Sequence, residues 1–560
     1  MNRRSFLKTA GLSVATFVLA DRAKAAPAPA RPNILYVMGD DHCATAIGAY
    51  GSRLAKLDPT PVIDTLARDG MRFDNCFCVN SICTPSRANI MSGQYSQANG
   101  ALTLGGHLPA EKQYLPRLMQ EAGYSTAIFG KWHLADEPAW FDYYKILPGQ
   151  GAYFNPQFHE KGQGQYPKNL VKTTGYVVDL TTDAALDWLQ QRDKTKPFFL
   201  CVHFKAPHEP WSYPDRYAGW LEGVEIPYPG SLFTQGNHGS IATRGDHDEL
   251  IHYIGSSVGR RNVLRNRMPK SAKDPKIPDD EALKLSYQDY LHRYLRCAKS
   301  NDDNLKRMLD YLAGEGILDD TVICYTGDQG MWLGEHDYID KRWMYEESMR
   351  MPFLVRYPRS VKAGTHTAAL VNNTDFAPTL LDFAGVATPD YMHGRSFRGI
   401  LETAQEPSDW RDATYYRYWM HLSSHYNPAH FGVRTKRYKL IFFYGINYKG
   451  SSIQTPPGWE FYDLEKDPEE MNNAYDDPAY ASIIAELKQK LLELRVKYGE
   501  TDNNYPAIQA IIDRHWNTTD ETRAEAVRIS HEAKAQFDQQ AAKGRDKSQK
   551  PKKPKAESVK

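Results

Sequence analysis

Short apolar runs alternate with segments of helical periodicity along most of the chain. Runs of this kind, bounded by glycine, proline or polar residues, are typical of strands buried in a parallel sheet. Their alternation with helices predicts an α/β protein with a doubly wound, mainly parallel sheet flanked by helices. The predicted strands are 33–38, 71–75, 125–129, 197–204 and 321–325, and the predicted helices are 60–69, 114–122, 182–191 and 282–312.

The pattern changes beyond about residue 409. Aromatic-rich runs separated by turns, at 415–419, 438–444 and 460–464, predict a small antiparallel sheet closed by a helix near 483–498. The polar stretch 230–278 reads as a large loop. We therefore divide the chain into a main domain at 26–408, an α+β subdomain at 409–500, a helical extension at 501–543, and a lysine-rich tail at 544–560 that we expect to be disordered.

The first 25 residues predict an export signal. Arg3 and Arg4 resemble a twin-arginine signal, the apolar stretch 10–20 is a short h-region, and Ala23-Lys24-Ala25 offers a cleavage site. We expect export by the twin-arginine machinery to the periplasm or the medium. The alternative, a membrane anchor, is disfavoured because the stretch is too short to span a bilayer, and no later segment is long and apolar enough.

Net charge and cysteine content limit the kinds of protein that this chain can be. The 560 residues suggest one large domain with a smaller companion, and a formal net charge of +1 gives no overall field to steer nucleic acid. Any anion must therefore be recognised locally. Seven cysteines are too few and too irregular for a disulfide scaffold, and their odd number leaves at least one with another role. Cys76 and Cys78 are too close for a zinc pair and read as packing residues.

Polar residues gather where the predicted strands end. Asp40 and Asp41 follow the first strand, and Asp328 and Gln329 follow the strand at 321–325. Ligands collect at the carboxyl ends of strands in such sheets, and these oxygen donors suit a hard cation such as Ca²⁺. A helix cap is the alternative for Asp40-Asp41 considered singly.

The sharpest motif is Cys83-Thr84-Pro85-Ser86-Arg87, followed by Ala88-Asn89-Ile90-Met91-Ser92-Gly93. It resembles the C-x-P-S-R signature of formylglycine-dependent sulfatases, with Met91 and Ser92 where the family has Leu and Thr. Read alone, the motif could be a buried cysteine in a proline-containing turn. Further family motifs follow in order, as Gly130-Lys131-Trp132-His133, Lys205-Ala206-Pro207-His208 and 334–341. The resemblance runs from about Arg31 to Asn473 and implies an alkaline-phosphatase-like fold.

The resemblance also implies the chemistry. Cys83 would be oxidised to formylglycine by a maturation enzyme, and its hydrate would attack sulfur. Arg87 would hold the hydrate, Lys131 and Lys341 would bind sulfate, His133 would hydrogen-bond the formylglycine hydroxyl, and His208 would protonate the leaving oxygen. One Ca²⁺ would be held by Asp40, Asp41, Cys83, Asp328 and Gln329, with Gln329 standing where many relatives have Asn or His. A neighbouring negative charge should keep His208 protonated.

The substrate is less constrained. The residues of these motifs most resemble those of glycan sulfatases of the N-acetylglucosamine-6-sulfatase and iduronate types. This resemblance implies that the substrate is a sulfated saccharide. Arg342 and His336 are candidate substrate contacts, and the segments 230–278 and 419–430 carry His, Arg and aromatic residues that could line a sugar site or simply pack the subdomain. The alternatives are a phosphonate or phosphodiester hydrolase of the same superfold, a phosphomonoesterase with two or more metals, and an inactive glycan-binding protein.

Overall fold

A ten-stranded mixed sheet forms the centre of the larger part of the chain. In its middle, β1 (Asn33–Gly39) lies between β9 (Thr321–Gly327) and β8 (Phe198–Phe204) and runs parallel to both. Every residue of β8 and β9 is buried, which accounts for their uninterrupted apolar runs. Across the sheet the order is β13 (Thr365–Thr367), β2 (Met71–Phe73), β12 (Phe353–Arg356), β9, β1, β8, β4 (Ser125–Lys131), β5 (Tyr143–Leu147), β6 (Gln157–Glu160) and β7 (Leu170–Lys172).

Both faces of this sheet are covered by helices. Alternate residues of β1 join different cores, since Tyr36 lies in one hydrophobic cluster and Val37 in the other. Helices α2 (Cys83–Ser92), α4 (Tyr114–Glu121) and α9 (Phe376–Phe383) pack on the Tyr36 side. On the opposite side lie α1 (Pro61–Arg68), α5 (Val177–Gln191) and the long α7 (Asp279–Gly314). Strands β6 and β12 run antiparallel to their neighbours, and the rest of the sheet is mainly parallel, which confirms the predicted fold class.

The C-terminal part builds a separate four-stranded antiparallel sheet, as predicted. Its strands pair in chain order and are β15 (Ala413–Tyr418), β16 (His430–Thr435), β17 (Tyr438–Phe443) and β18 (Gly458–Asp463). Two short ribbons pair β10 (Trp332–Leu333) with β11 (Ile339–Asp340) and β3 (Cys76–Phe77) with β14 (Val371–Asn372). The remaining helices are α3 (Ser96–Asn99), α6 (Ile241–Arg244), α8 (Glu346–Met349), α10 (Arg398–Thr403), α11 (Ala481–Lys497), α12 (Pro506–His515) and α13 (Asp520–Gln549).

The computed structural model describes residues 31–234, 236–450 and 452–549. The predicted signal peptide lies outside these ranges, and so does the tail beyond residue 549. Helix α13 continues to Gln549, and the disordered tail expected from residue 544 stays a prediction. Among the described residues, no helix combines the length and apolar character needed to cross a membrane. The boundaries between the main domain, the subdomain and the extension stay predictions.

Candidate active site

The strand ends converge as the sequence predicts. Strands β9, β1, β8 and β4 are successive neighbours in the sheet, and Gly39 at the end of β1 is in register with Gly327 of β9. The residues that follow these glycines therefore meet at one edge. The backbone N–H of Asp41 donates to Asp328 Oδ1 at 3.0 Å, which ties the two strand ends together.

Two glycines allow the backbone to pack tightly at this edge. A Cβ on Gly327 would lie 2.4 Å from the carbonyl oxygen of His42. Gly130 has a φ of 89°, and a Cβ there would lie 2.0 Å from the carbonyl oxygen of His203. No other residue fits either position without moving backbone. Gly130 thus sets the place of Lys131, the last residue of β4.

Helix α2 brings Cys83 to the same edge. All ten of its residues are buried, so its polar side chains must find partners inside the protein. Arg87 Nε donates to Asp328 Oδ2 at 3.0 Å, and Arg87 Nη1 donates to the carbonyl oxygen of Lys131 at 2.6 Å. Asn373 Nδ2 donates to Ser86 Oγ at 2.9 Å. Cys83 is the first residue of α2, so the partial positive charge of the helix N-terminus faces the site.

Three carboxylates and three cations are buried together here. Lys131 Nζ contacts Asp40 Oδ2, and Lys341 Nζ donates to both oxygens of Asp41 at 2.6 Å. Burial disfavours charge on Asp40, but Lys131 and its cationic neighbours outweigh burial and hold the pKa of this carboxyl well below its usual value. Burial raises the pKa of Asp41 to about 7, against the pull of Lys341. Burial likewise raises the pKa of Asp328.

The donor set fits a hard divalent cation. Single ligand atoms of Asp40, Asp41, Cys83 and His208 all lie within 4.8 Å of one another, and Asp328 is joined to them through Arg87 and the Asp41 backbone. Gln329 is fully buried, and its Oε1 has no hydrogen-bond partner, while its Nε2 contacts Asp41 Oδ1. A buried amide oxygen without a partner is costly unless a cation or water meets it. Carboxylate and amide oxygens are ligands that Ca²⁺ prefers.

The two predicted histidines flank this cluster. His208 Nε2 lies 3.8 Å from Asp41 Oδ2, and its Nδ1 lies 2.8 Å from the carbonyl oxygen of Glu209. His133 Nδ1 lies 3.5 Å from Thr84 Oγ1. Burial, reinforced by Lys131, lowers the pKa of His133 to about 2. Burial also lowers the pKa of His208 far below its usual value, and the attraction of Asp40 does not offset it. The expectation that a neighbouring carboxylate keeps His208 protonated was therefore wrong for the site without substrate.

Comparisons with known proteins agree with this geometry. A family model described as sulfatase matches residues 32–386, and one described as the C-terminal part of N-sulphoglucosamine sulphohydrolase matches residues 334–497. The chain belongs to the sulfatase family. It is 38% identical over 506 residues to an N-acetylglucosamine-6-O-sulfatase of Bacteroides thetaiotaomicron, covering 84% of this chain and 88% of that protein.

Solved structures support the same assignment. One in complex with its substrate D-glucosamine-2-N,6-O-disulfate matches with a TM-score of 0.74 and 38% identity, covering 84% of this chain and 99% of the other. A phosphonate monoester hydrolase from Silicibacter pomeroyi matches with a TM-score of 0.65 at 21% identity, covering 84% of this chain and 96% of that chain, which shows the shared fold alone. As a sulfatase, the protein is a sulfuric ester hydrolase.

In this sulfatase a cavity of about 280 Å³ opens in front of Cys83. Lys341 and Arg342, which the sequence singled out, both line it. Five residues of the site hold a positive φ although they are not glycine, namely Asp41, His133, Asp340, Arg342 and Ser424. Such conformations persist only where the surrounding structure enforces them, and they concentrate at functional sites. The other lining residues are Leu104, Gln150, His208, Glu209, Arg265, Asp340, Ser424 and His425.

One wall of the cavity is a buried polar network. Arg342 Nε donates to Asp340 Oδ2 at 2.7 Å, and His425 Nδ1 lies 3.4 Å from the same oxygen. Burial opposes charge on Asp340, but His425 and Arg342 outweigh it and hold the pKa of the carboxyl far below its usual value. Asp340 is therefore an ionised, hydrogen-bond-accepting group that faces the cavity.

His336 does not belong to this wall, so its prediction as a substrate contact was wrong. Its ring stacks on His238 with centroids 3.9 Å apart, and its Nε2 lies 2.8 Å from the carbonyl oxygen of Glu469. The side chain is 1% exposed within an aromatic cluster. Its nearness to Lys341 in sequence does not extend to the site, because the chain turns between them through the β10–β11 ribbon.

Several lining residues were not singled out from the sequence. Gln150 accepts from Lys131 Nζ at 2.6 Å through Oε1 and follows β5, a strand that was not predicted. Glu209 had one available signal, since it directly follows His208. Arg265 and His425 lie in the two segments suspected of lining a sugar site, but those segments gave no means of choosing among their many polar residues.

Proposed function

We propose that this sulfatase removes a sulfate ester from a sulfated glucosamine unit, with the 6-sulfate of glucosamine or N-acetylglucosamine as its target. The observation that carries the proposal is that Cys83 lines a small cavity together with Asp340 and Arg342. Ionised Asp340 and Arg342 form a pair suited to sugar hydroxyl groups. The activity named for a relative and the substrate named for a solved structure, each 38% identical to this chain, support this choice.

Formylglycine at position 83 is the proposed nucleophile. Cys83 is 1% exposed, and burial raises the pKa of its thiol to about 12, so an unmodified thiol would stay protonated and unreactive. As a hydrated aldehyde, the side chain would supply one hydroxyl to attack sulfur and a second whose deprotonation expels sulfate. A maturation enzyme is therefore a required partner.

The residues around Cys83 are arranged to stabilise the transferring sulfuryl group. Lys131 and Lys341 are fully buried cations close to Cys83, and the N-terminus of α2 adds its partial positive charge. Asp40, Asp41, Asp328 and Gln329 would hold Ca²⁺. When bound, the ion would polarise a sulfate oxygen and neutralise carboxylate charge.

His208 is the proposed proton donor to the sugar oxygen. It lines the cavity, whereas His133 is not among the lining residues and lies near Thr84. Because burial keeps His208 neutral in the free site, it needs a further negative charge to become an acid. An anionic sulfate ester brings that charge beside it. The proton would thus be taken up when the substrate binds, and delivered as the S–O bond to the sugar breaks.

A panel of defined sulfated saccharides tests the substrate. Sulfate release would be measured for N-acetylglucosamine 6-sulfate, glucosamine 6-sulfate, and galactose and N-acetylgalactosamine 6-sulfates. We expect the highest kcat/KM for a glucosamine derivative. A higher kcat/KM for the galactose series would contradict the proposed sugar while leaving the sulfatase assignment intact.

Phosphonate monoester and phosphodiester hydrolysis is the second candidate, because the same fold carries it. Measuring kcat/KM on a phenyl sulfate and on the matching phosphodiester separates the two, since the leaving groups are identical. We expect the sulfate ester to react faster.

Export is also proposed, on the twin-arginine pattern at the N-terminus. Replacing Arg3 and Arg4 together with lysine should leave the protein in the cytoplasmic fraction of its host. Unchanged export of that variant would refute the twin-arginine route.

A further inference from the structure

Helix α13 packs against the protein through one narrow face. Its buried positions, Thr522, Ala526, Ile529 with Ser530, Ala533 and Phe537, recur at spacings of three and four residues. This spacing places them along one stripe of a helix, while the intervening residues are largely exposed. The helix lies beyond both stretches of the chain that the family models match, which end at residues 386 and 497.

The buried stripe contacts the loop that follows α6. Ser530 Oγ accepts from the backbone N–H of Asp246 at 2.9 Å and donates to Glu249 Oε1 at 2.6 Å. Further along, the ring of Phe537 stacks on Tyr253, with centroids 5.1 Å apart and an interplanar angle of 4°. Two points of this loop, 246–249 and 253, are thus held by residues of α13 that lie about two turns apart.

Phe537 also reaches a second loop. Its ring meets that of Tyr426 edge-on, with centroids 6.3 Å apart. Two residues of this second loop have a positive φ, 61° at Tyr426 and 65° at Ser424. Such backbone costs free energy and must be held by its surroundings. Phe537 therefore lies where it can hold both loops at once.

Both loops continue directly into the wall of the active-site cavity. The N–H of Gly255 donates to the carbonyl oxygen of Tyr426 at 3.2 Å, and Ser256 Oγ lies 2.9 Å from His425 Nδ1. Arg265 Nη2 lies 3.3 Å from His425 Nε2. Arg265 and His425 line the cavity. Tyr426, which Phe537 contacts, directly follows the lining residue His425, and only Ile254 separates Tyr253 from Gly255.

We propose that α13 is a positioning element for substrate recognition, with Phe537 as its key residue. It holds the two loops so that Arg265 and His425 keep their places around the sugar. The inference rests on the proposed function, because it assigns those residues to the sugar half of the substrate. The groups that act on sulfate lie on strand ends and on α2, which α13 does not hold. Loss of Phe537 should therefore weaken recognition of the sugar more than sulfuryl transfer itself.

The test compares Phe537→Ala with wild type and with Gln536→Ala, a matched change at an exposed position on the same helix. The substrates are N-acetylglucosamine 6-sulfate, which must be held by its sugar, and 4-nitrophenyl sulfate, which has none. Phe537→Ala should raise KM for the sugar sulfate about tenfold and change kcat/KM for the aryl sulfate less than about threefold. Gln536→Ala should match wild type on both.

A second variant provides a control in case Phe537→Ala misfolds. Ser530→Ala removes the two hydrogen bonds to the loop without opening a large cavity, and should raise KM for the sugar sulfate about threefold with the aryl-sulfate rate preserved. Unchanged KM for the sugar in both variants, or equal losses on both substrates, would overturn the inference alone. If wild type hydrolyses the aryl sulfate but no sulfated saccharide, the proposed function fails and the inference fails with it.

Discussion

The thiol of Cys83 donates to Asp40 Oδ1 at 3.5 Å, and the other oxygen of the same carboxylate receives Lys131. These residues come from three different elements, namely α2, the end of β1 and the end of β4. The contact places the side chain at position 83 between a carboxylate of the proposed metal site and a cation that we propose to bind sulfate. A formylglycine formed from this thiol would lie in the same surroundings, so the proposed modification site and the proposed metal site share residues.

Replacing His208 separates its acid role from other roles. His208→Ala should lower kcat/KM for a sugar sulfate by about 10²–10⁴-fold, because an alkoxide leaving group needs a proton. The loss on 4-nitrophenyl sulfate should be much smaller, since nitrophenolate leaves without one. Steady-state kinetics on the two substrates makes the comparison. Equal losses would remove His208 from the acid role.

Calcium should stabilise the folded protein. Protein stripped with a chelator and then given calcium at a hundred times its Kd should gain about 2.7 kcal/mol in the free energy of unfolding. Asp328→Asn should lose most of this gain. Asp289→Asn, in an exposed pair with Arg293, should keep it. Thermal unfolding with and without calcium provides the measurement, and an equal response of all three proteins would argue against the assigned ligands.

Arg342 should contribute both to the stability of the fold and to substrate binding. Arg342 is 3% exposed and bound to Asp340, so Arg342→Ala removes the hydrogen-bonded cation from a buried carboxylate. Breaking such a pair costs about 3–5 kcal/mol. Below its unfolding temperature, the variant should show a raised KM for the sugar sulfate and a preserved rate on the aryl sulfate. Arg293→Ala, at the exposed pair, should cost less than about 1 kcal/mol. A KM equal to wild type would exclude Arg342 from substrate binding.

Buried histidines should make the protein sensitive to acid. His430 is fully buried, and burial lowers its pKa from 6.5 to about 3. Between these values the unfolded chain binds a proton that the folded protein excludes, so stability falls as pH drops below 6.5, by about 1.4 kcal/mol per pH unit for this group.

Replacing His430 with phenylalanine should reduce that slope by the contribution of one proton. The matched variant His247→Ala, whose side chain is 96% exposed, should keep the wild-type slope. Denaturant unfolding between pH 5 and pH 7 measures both. A slope unchanged in the His430 variant would show that this histidine is protonated in the folded state.

The sequence could predict those parts of the site that lie at strand ends. Asp40, Lys131, His208 and Asp328 each follow or close a buried apolar run, so periodicity placed them at one edge of the sheet. Their contacts agree with that placement. The groups that face the sugar were harder to find, because Arg265 and His425 lie in long loops whose paths depend on distant contacts.

The strands and the helix start that the sequence did not predict were missed for local reasons. Strand β16 contains Gly432, where a Cβ would lie 2.3 Å from the carbonyl oxygen of Leu440, so tight packing of the sheet requires glycine there. Glycine is unfavourable inside strands, and the sequence pattern therefore did not predict β16. Helix α5 begins at Val177, five residues before its predicted start, because the β-branched residues in its first turns read as a strand or loop. Strands β5, β6 and β7 lie at one edge of the large sheet, where half-exposed residues break the apolar runs.

The most direct test of the account is the mass of the peptide that contains Cys83. In protein purified from a host with a formylglycine-generating enzyme, and active on a sulfate ester, we expect the mass decrease that replacement of CH₂SH by an aldehyde produces. Cys83→Ala should fold and show no turnover. A fully active preparation in which position 83 carries an unmodified thiol would contradict the proposed mechanism.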